Sequence, residues 1–474
     1  MTQMTPAKIA IERGKVYGVI LAGGLGSRLN GITNSTKNAA ARPKACALVL
    51  TGLGMDYSTL AFERLGLKQV FISTNASYTS QIQDQMYKPK DLKITMWPEN
   101  TQLGTARAID FFLKSLSKKM GAKINDCTVL VQACDTPHNL DLMPMLESHL
   151  GNQGSITIGV IPRSKYLLEK ESKQRTFATV VTEGFDFTSK KQVGSEYEEM
   201  LDAYYGRNIG CSKPISYFCE ESDRDDSPFI STHIYAINVE FWMDVISKNI
   251  RSDFSDFGFH IFPAMASLSL PQEFRSRQID DIKKAMQGHK FEAYFFPQQG
   301  AFWRDVGTPY LLWMANKLGL SGEFSIPESF GKLWKQEPWG LLGVNPETGE
   351  PSKIDLQARI KEPIKTQEKD KKAIGNIIGQ GCDIGKYAHI NNSVIGDHTI
   401  IDEKVHLDSV LVLPGTPEKP NYIAKADLTN SIVAGGSIPG KRILKPISAS
   451  GAIIYRGIDE ESKEDELIIG KLRK

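Results

Sequence analysis

Residues 16–44 read VYGVILAGGLGSRLNGITNSTKNAAARPK, and the fold follows from how this stretch is parsed. Tyr17 to Leu21 is apolar and rich in β-favouring side chains, which predicts a buried first strand. Ala22-Gly23-Gly24-Leu25-Gly26-Ser27-Arg28 follows at once. Its glycines let the chain turn sharply and present N–H groups to an anion, with no Cβ in the way. Arg28 and Lys44 bring the positive charge that a polyphosphate needs. Two other nucleotide loops fail on spacing. The dinucleotide fingerprint requires a third glycine and an acid about 20 residues further on. Leu29 stands where that glycine belongs, and Pro43 to Leu50 contains no acid. The P-loop requires Gly-Lys-Ser/Thr, which Gly26-Ser27-Arg28 does not supply. A glycine-rich turn alone also fits any tight strand-to-helix connection; the basic residues behind it are what point to phosphate.

Outward from the loop, strands alternate with helices. Strands are expected at Gln69–Ile72, Leu92–Met96 and Cys127–Val131, with helices over Leu60–Leu65 and Arg107–Leu116. That order predicts an α/β domain with a doubly wound, mixed but mostly parallel sheet, whose ligands sit beyond the carboxyl ends of the strands. The glycine loop and Asp135 both fall there. Ser155–Val160, Thr176–Val181 and Ile230–Ile237 extend the sheet, while Thr182 to Phe229 gives no clear pattern. Phe302-Trp303-Arg304-Asp305-Val306-Gly307-Thr308 precedes a helix entered at Pro309. The first domain is placed at 1–320 and a proline-bearing linker at 321–372. From Ile378, isoleucines recur at 384 and 390 and the phase slips by one at Ile395, a hexapeptide repeat that signals a parallel β-helix. That domain is placed at 373–455, interrupted at Pro414–Pro420, with a charged tail at 456–474.

Composition narrows the function. The 474 residues carry 57 Lys+Arg against 55 Asp+Glu, a balance that gives no bulk attraction to nucleic acid. No apolar run approaches the roughly 20 residues that span a bilayer, and the opening MTQMTPAKIAIERGK lacks the apolar segment of a secretion signal. Six scattered cysteines without a CxxC pair fit reduced thiols of a cytoplasmic protein.

LAGGLGSRL, ARPKA, GTARA, Cys134-Asp135, STHIY and FWRDVGT, followed by hexapeptide repeats, resemble the sugar-1-phosphate nucleotidyltransferases, and within them the ADP-glucose-forming enzymes. The resemblance covers both domains. It implies a Rossmann-like nucleotidyltransferase domain, a left-handed β-helix, Mg²⁺, NTP (ATP favoured) and sugar 1-phosphate (glucose 1-phosphate favoured) as partners, and a homo-oligomer, possibly a tetramer. The implied nucleotide site is Leu21, Ala22, Gly23, Gly24, Gly26, Ser27, Gly104 and Thr105. Arg28 would fork onto the β/γ-phosphates and Lys44 would meet the α-phosphate. Asp135 and Asp305 would take the metal, a hard cation that prefers oxygen ligands. Lys213 and Ser231 would meet the sugar phosphate beside Asp305.

Each position has a plainer reading. Asp135 could cap a turn, Arg304-Asp305 could be a surface ion pair, and Gly104-Thr105 could be only a helix cap. Trp97 reads as packing, Ser231 and Tyr235 share a face that could be core, and His389, His398 and His406 read as solvated turn residues. Departures from the family are also visible. Its Glu-Lys-Pro appears as Ser212-Lys213-Pro214; a rival register through Phe218-Cys219-Glu220-Glu221 replaces the lysine with Glu221. His233 stands where the family commonly has glycine. A non-catalytic regulatory subunit, a bifunctional acetyltransferase and a nucleotide binder without turnover remain open as rivals.

Overall fold

The computed structural model describes residues 4–24, 26–29, 32–33, 42–101, 103–163, 178–185, 195–220, 228–250, 255–266, 284–297, 301–323, 330, 332–363, 373–415, 417, 420–424, 426–433, 437–438, 442–444 and 453–455. Within the first 320 residues, nine strands form one sheet. They are β1 (Val16–Ala22), β2 (Gln69–Asn75), β3 (Lys93–Glu99), β4 (Thr128–Ala133), β5 (Ile156–Pro162), β6 (Thr179–Thr182), β7 (Ser212–Cys219), β8 (Phe229–Asn238) and β9 (Phe291–Phe295). Their order is β3-β2-β1-β4-β8-β5-β9-β7-β6. β1 to β4 run parallel, β8 is antiparallel to both its neighbours, β9 is parallel to β5, and β7 is antiparallel to β9 and β6.

The sheet is covered on both faces because its strands are apolar on both. In β1, Val19 joins a core with Phe71, Ile109 and Phe112, whereas its neighbour Ile20 joins another with Phe62, Val70 and Leu146. The side-chain period of two sends successive residues to opposite cores. The helix Thr105–Met120 covers the first face; Gly54–Leu65 and Met143–Gly151 cover the second. The unpatterned stretch after Thr182 holds the helix Ser195–Asn208 and strand β7.

The region beyond residue 330 is built from three parallel ladders. Ile377 pairs with Val394, Asp383 with Ile400 and His389 with His406, each partner 17 positions further on. Ile378, Ile384, Ile390, Ile395, Ile401 and Leu407 all point into one buried core. A 17-residue coil is one short of three hexapeptides, and the phase slip at Ile395 is that missing residue. Tyr387, Asn392, His398, Lys404 and Ser409 have φ between 48° and 59°, a left-handed backbone conformation that recurs along the coil.

Two sequence expectations are corrected here. Residues 321–372 are not simply a linker: Gly340–Val344, Lys353–Ile354 and Arg359–Ile360 are rungs of the three ladders, paired with Asn376–Ile378, Asp383–Ile384 and His389–Ile390. Ile354 and Ile360 already keep the six-residue spacing. The insertion between Ile360 and Asn376 stretches the step and hides the period. At the other end, the coil resumes directly after the break at Pro414–Pro420, with Asn421–Ile423 paired to Thr399–Ile401, where the sequence pattern suggests resumption over Leu428–Ile443. The expected tail at 456–474 lies outside the described residues.

One helix joins the two parts. Pro309–Leu320 starts with Pro309 after the N-cap Thr308. Its Leu312, Trp313 and Ala315 pack with Leu48, Tyr57 and Phe302 on one side and with Ile377, Val394, Leu411 and Ile432 of the coil on the other. The Trp313 indole donates to the Ser409 carbonyl at 2.7 Å, and Arg42 donates to the Pro414 carbonyl at 2.6 Å. Buried Asn316 accepts from the Leu50 N–H at 2.7 Å and donates to the Leu48 carbonyl at 3.0 Å, completing a turn in which Leu50 has φ 54°. Asn316→Leu keeps the branched shape and heavy-atom count but orphans both backbone groups, each costing about 1–3 kcal/mol. Equilibrium urea unfolding should show a destabilisation of that order, and a midpoint equal to wild type would contradict the role given to Asn316.

Candidate active site

At the carboxyl ends of β1, β3 and β4 lies an open cleft of about 280 Å³. Leu21, Gly23, Gly24, Arg28, Lys44, Gly104, Thr105 and Asp135 line it, so eight residues expected from the sequence are brought together. Ala22, Gly26, Ser27, Ser231, Asp305 and Lys213 are absent from the lining.

Gly26 supports the loop from beneath. It has φ +64°, and a Cβ there would sit 2.8 Å from the Thr33 methyl and 3.1 Å from the Lys44 Cβ. The Thr33 hydroxyl donates to the Gly26 carbonyl at 2.9 Å, and buried Leu29 anchors the one-turn helix that carries Arg28. Arg28 itself is exposed and reaches from the loop. Lys44 opens a short turn after Pro43, and its ammonium is ion-paired with the Asp135 carboxylate.

Asp135 is positioned by a clasp between distant segments. The Val306 N–H donates to the Asp135 carbonyl at 2.9 Å and the Arg304 N–H to the Pro137 carbonyl at 3.1 Å. The Asn139 N–H donates to the Phe302 carbonyl at 3.2 Å, and the Asn139 side chain accepts from the Phe302 N–H at 2.7 Å. Residues 302–306 therefore run antiparallel to 135–139, with His138 and Trp303 bridged. This puts Asp305 beside Asp135. Both acids are buried, and Asp305 accepts from the Gly307 N–H at 2.6 Å. The surface-ion-pair reading of Asp305 does not survive its burial.

His138 braces the same turn. Its ring bonds the Gln132 side chain at 2.8 Å and accepts from the Leu140 N–H at 3.1 Å. Burial, with help from Arg64, pushes its pKa down to about 3. Burial alone likewise takes His149 down to about 4.

On the far wall, Gly104 has φ +84° and the Ser255 carbonyl oxygen lies 2.8 Å from where its Cβ would be. That carbonyl accepts from the N–H groups of Ala106 and Arg107 at 3.0 and 3.1 Å. The glycine is thus required by the protein's own backbone, whatever ligand approaches. The Thr105 hydroxyl donates to Asp256 at 2.8 Å and accepts from the Phe257 N–H at 2.9 Å, so it holds the 255–257 segment against the helix. Trp97 packs edge-on against Phe111 and Phe112, as the packing reading has it.

Sequence reasoning did not single out Glu99 or Asp256, and it named Glu220 only in a register it did not prefer. Glu99 bonds the Ser73 hydroxyl, and burial raises its pKa against the pull of Ser73 and the Leu103 amide. Asp256 caps the next helix by accepting from Gly258 and Phe259 at 2.9 and 3.2 Å. The Asp256-Phe257-Gly258 turn was a legible capping signal.

The acceptor lysine is a correction. Lys213 lies near the start of β7, opposite Ala293 of β9, whereas Glu220, just past the other end of that strand, lines the cleft. Six residues of strand, about 20 Å, separate Lys213 from that end. Of the rival register, Glu220 is the residue at the cleft, and Glu221 lies outside the described residues.

Ser231 is buried, and its hydroxyl accepts from the His233 N–H at 3.2 Å. β8 bulges here: Ser231 faces Val160 and Tyr235 faces Ile158, leaving two extra residues on the bulged strand. The bulge brings His233, at φ 58°, into the cleft lining. Burial lowers its pKa, opposed by Asp305 and Asp135 and assisted by Lys44 and Arg28.

Residues 17–167 match the family model described as nucleotidyl transferase, which bears out the resemblance read from the motifs. Along most of its length the chain is similar to proteins named glucose-1-phosphate adenylyltransferase. The relative from Thermodesulfovibrio yellowstonii is 25% identical over 84% of this chain and 88% of its own. Those from Bacillus cereus (strain Q1) and Bacillus anthracis are each 22% identical over 85% of this chain and 98% of theirs. No helix among the described residues is long and apolar enough to cross a membrane.

The buried imidazoles set an acid limit. A histidine whose folded pKa lies below its unfolded value of 6.5 contributes stability that is present above pH 6.5 and is lost as pH falls toward the folded value. Thermal unfolding should therefore show the melting temperature dropping between pH 6.5 and 4, and dropping less in His138→Gln. An unchanged pH slope in that variant would mean that His138 is not held neutral.

Proposed function

We propose that this protein is a sugar-1-phosphate nucleotidyltransferase that makes an NDP-sugar, ADP-glucose by preference, and pyrophosphate from an NTP and a sugar 1-phosphate. The observation that carries the reading is the convergence of the glycine loop, Arg28 and the Lys44–Asp135 pair around one cleft, with buried Asp305 on the segment clasped to Asp135. The names of the relatives favour adenine and glucose over a uridylyl, guanylyl or thymidylyl transferase.

Both reactants are anions, so the residues have to neutralise charge and hold a line of attack. An oxygen of the sugar phosphate attacks the α-phosphorus, the α–β bridging P–O bond breaks, and its electron pair leaves with pyrophosphate. Arg28 holds the β- and γ-phosphates through its fork. Lys44 neutralises charge developing at the α-phosphate. The attacking phosphate is already ionised, so no general base is needed. Asp135 and Asp305 are the acids we assign to Mg²⁺: both are buried and lie on neighbouring backbone segments, Asp305 one position along the clasp from Asp135. Mg²⁺ is commonly held by one or two carboxylates, with waters and substrate phosphates completing its shell. When bound, the ion supplies charge neutralisation across the phosphates.

We also place the protein in the cytoplasm and read the three-ladder region as a left-handed β-helix that mediates assembly into a homotetramer. The hexapeptide spacing and the three parallel ladders of the coil support the β-helix part of that reading. A second functional reading, a non-catalytic regulatory subunit, draws on the acceptor side, where Lys213 is distant and Glu220 is present.

An initial-rate screen of four NTPs against several sugar 1-phosphates with Mg²⁺, reading pyrophosphate, separates them. Turnover with ATP and glucose 1-phosphate is the expected outcome; ATP binding with every pair silent would establish the regulatory reading. Asp135→Asn should lower the rate by at least about 100-fold with an unaltered circular dichroism spectrum, and an active variant would remove Asp135 from the mechanism.

A further inference from the structure

The proposed reaction brings a second phosphate into the cleft, and the cleft has few donors to receive it. Among the lining residues the lysines and arginines are Arg28 and Lys44, and Lys44 is already paired with Asp135. The other ionisable residues of the lining are Glu99, Glu220 and Asp256, which repel a phosphate, apart from Cys134, Tyr235 and His233. Cys134 and Tyr235 are buried, with pKa values raised by burial, and Tyr235 is bonded to Ser231. Among the described lining residues, His233 is the side-chain donor that remains.

Its backbone is held in a conformation that favours glycine. His233 has φ 58° inside a bulge fixed from three sides. The Thr232 hydroxyl donates to the Gly159 carbonyl at 2.9 Å, the Trp303 indole donates to the Thr232 carbonyl at 2.8 Å, and the His233 N–H is taken by Ser231. A side chain kept at a disfavoured φ by surroundings that over-determine it is a mark of function. The same Trp303 leads into Asp305, so the bulge and the acid clasp are one packed unit. Asp305, Asp135, Lys44 and Arg28 are near enough to act on the charge of its ring. It does not form a metal cage with the two acids, since no such trio exists among the described residues.

We propose that the imidazole of His233 is the acceptor-phosphate donor of this enzyme, binding the sugar 1-phosphate where related enzymes use a lysine. The role needs only the one N–H that a neutral imidazole carries. It rests on the nucleotidyltransferase reading. It also accounts for a described lining without a lysine for the acceptor that still holds Gly23, Gly24, Arg28 and Lys44.

The test uses the full chain with the sugar 1-phosphate that wild type turns over best, beginning with glucose 1-phosphate. His233→Gly removes the donor and suits the backbone, so its melting temperature should equal or exceed that of wild type. Its KM for the sugar phosphate should rise about 10–100-fold, the loss of a hydrogen bond to a charged group, with KM for the NTP within about twofold. His233→Gln, which restores an N–H, should recover part of the loss. An unchanged or lowered sugar-phosphate KM in the glycine variant, or an equal rise in both KM values, would overturn the assignment while the enzyme reading stands. A wild type silent with every substrate pair would overturn the enzyme reading itself, and the acceptor role with it.

Discussion

The antiparallel clasp between residues 135–139 and 302–306 is the constraint on which the rest of the site depends. It is made by backbone hydrogen bonds and by the Asn139 side chain, and so is indifferent to the ligand. Two buried acids, remote in sequence, become neighbours because the carboxyl end of β4 accepts a partner after the sheet is complete. Neither carboxylate is easy to bury without compensation. Lys44 compensates Asp135, and the Gly307 N–H serves Asp305. The helix Pro309–Leu320 then carries the chain from this clasp into the coil, which ties the site to the second part of the molecule through Trp313 and Asn316.

Much of this was legible in the sequence because it rests on local rules. The apolar run before Gly23, the basic residues after it, and Asp135 at a strand end follow from strand periodicity and phosphate chemistry. The hexapeptide spacing of Ile378, Ile384 and Ile390 gave the coil and even its phase slip. What stayed hidden depends on pairing between distant segments. β7 could not be read inside a stretch without periodicity, so the spacing to Ser231 favours Lys213, although the other end of the strand lies at the cleft. The first coil reads as linker in the sequence because an insertion separates Ile360 from its partner strand.

Gly104 and His233 show the two ways in which backbone conformation can mislead a reader of sequence. At Gly104 a glycine suggests a ligand, but the Ser255 carbonyl accounts for it. At His233 an imidazole occupies a left-handed position within a bulge that no local pattern announces. In the first case the protein explains its own glycine; in the second, the packing that holds the histidine in place gives the side chain a direction into the cleft.

The central claim is that Asp135 and Asp305 together hold one divalent ion over a bound triphosphate. Electron paramagnetic resonance titration of Mn²⁺, with and without a non-hydrolysable ATP analogue, measures this directly on wild type, Asp135→Asn and Asp305→Asn. The account predicts one tight ion per chain in wild type, dependent on the analogue and weakened at least tenfold in either variant. Binding of Mn²⁺ that is unaffected by loss of either acid would contradict it.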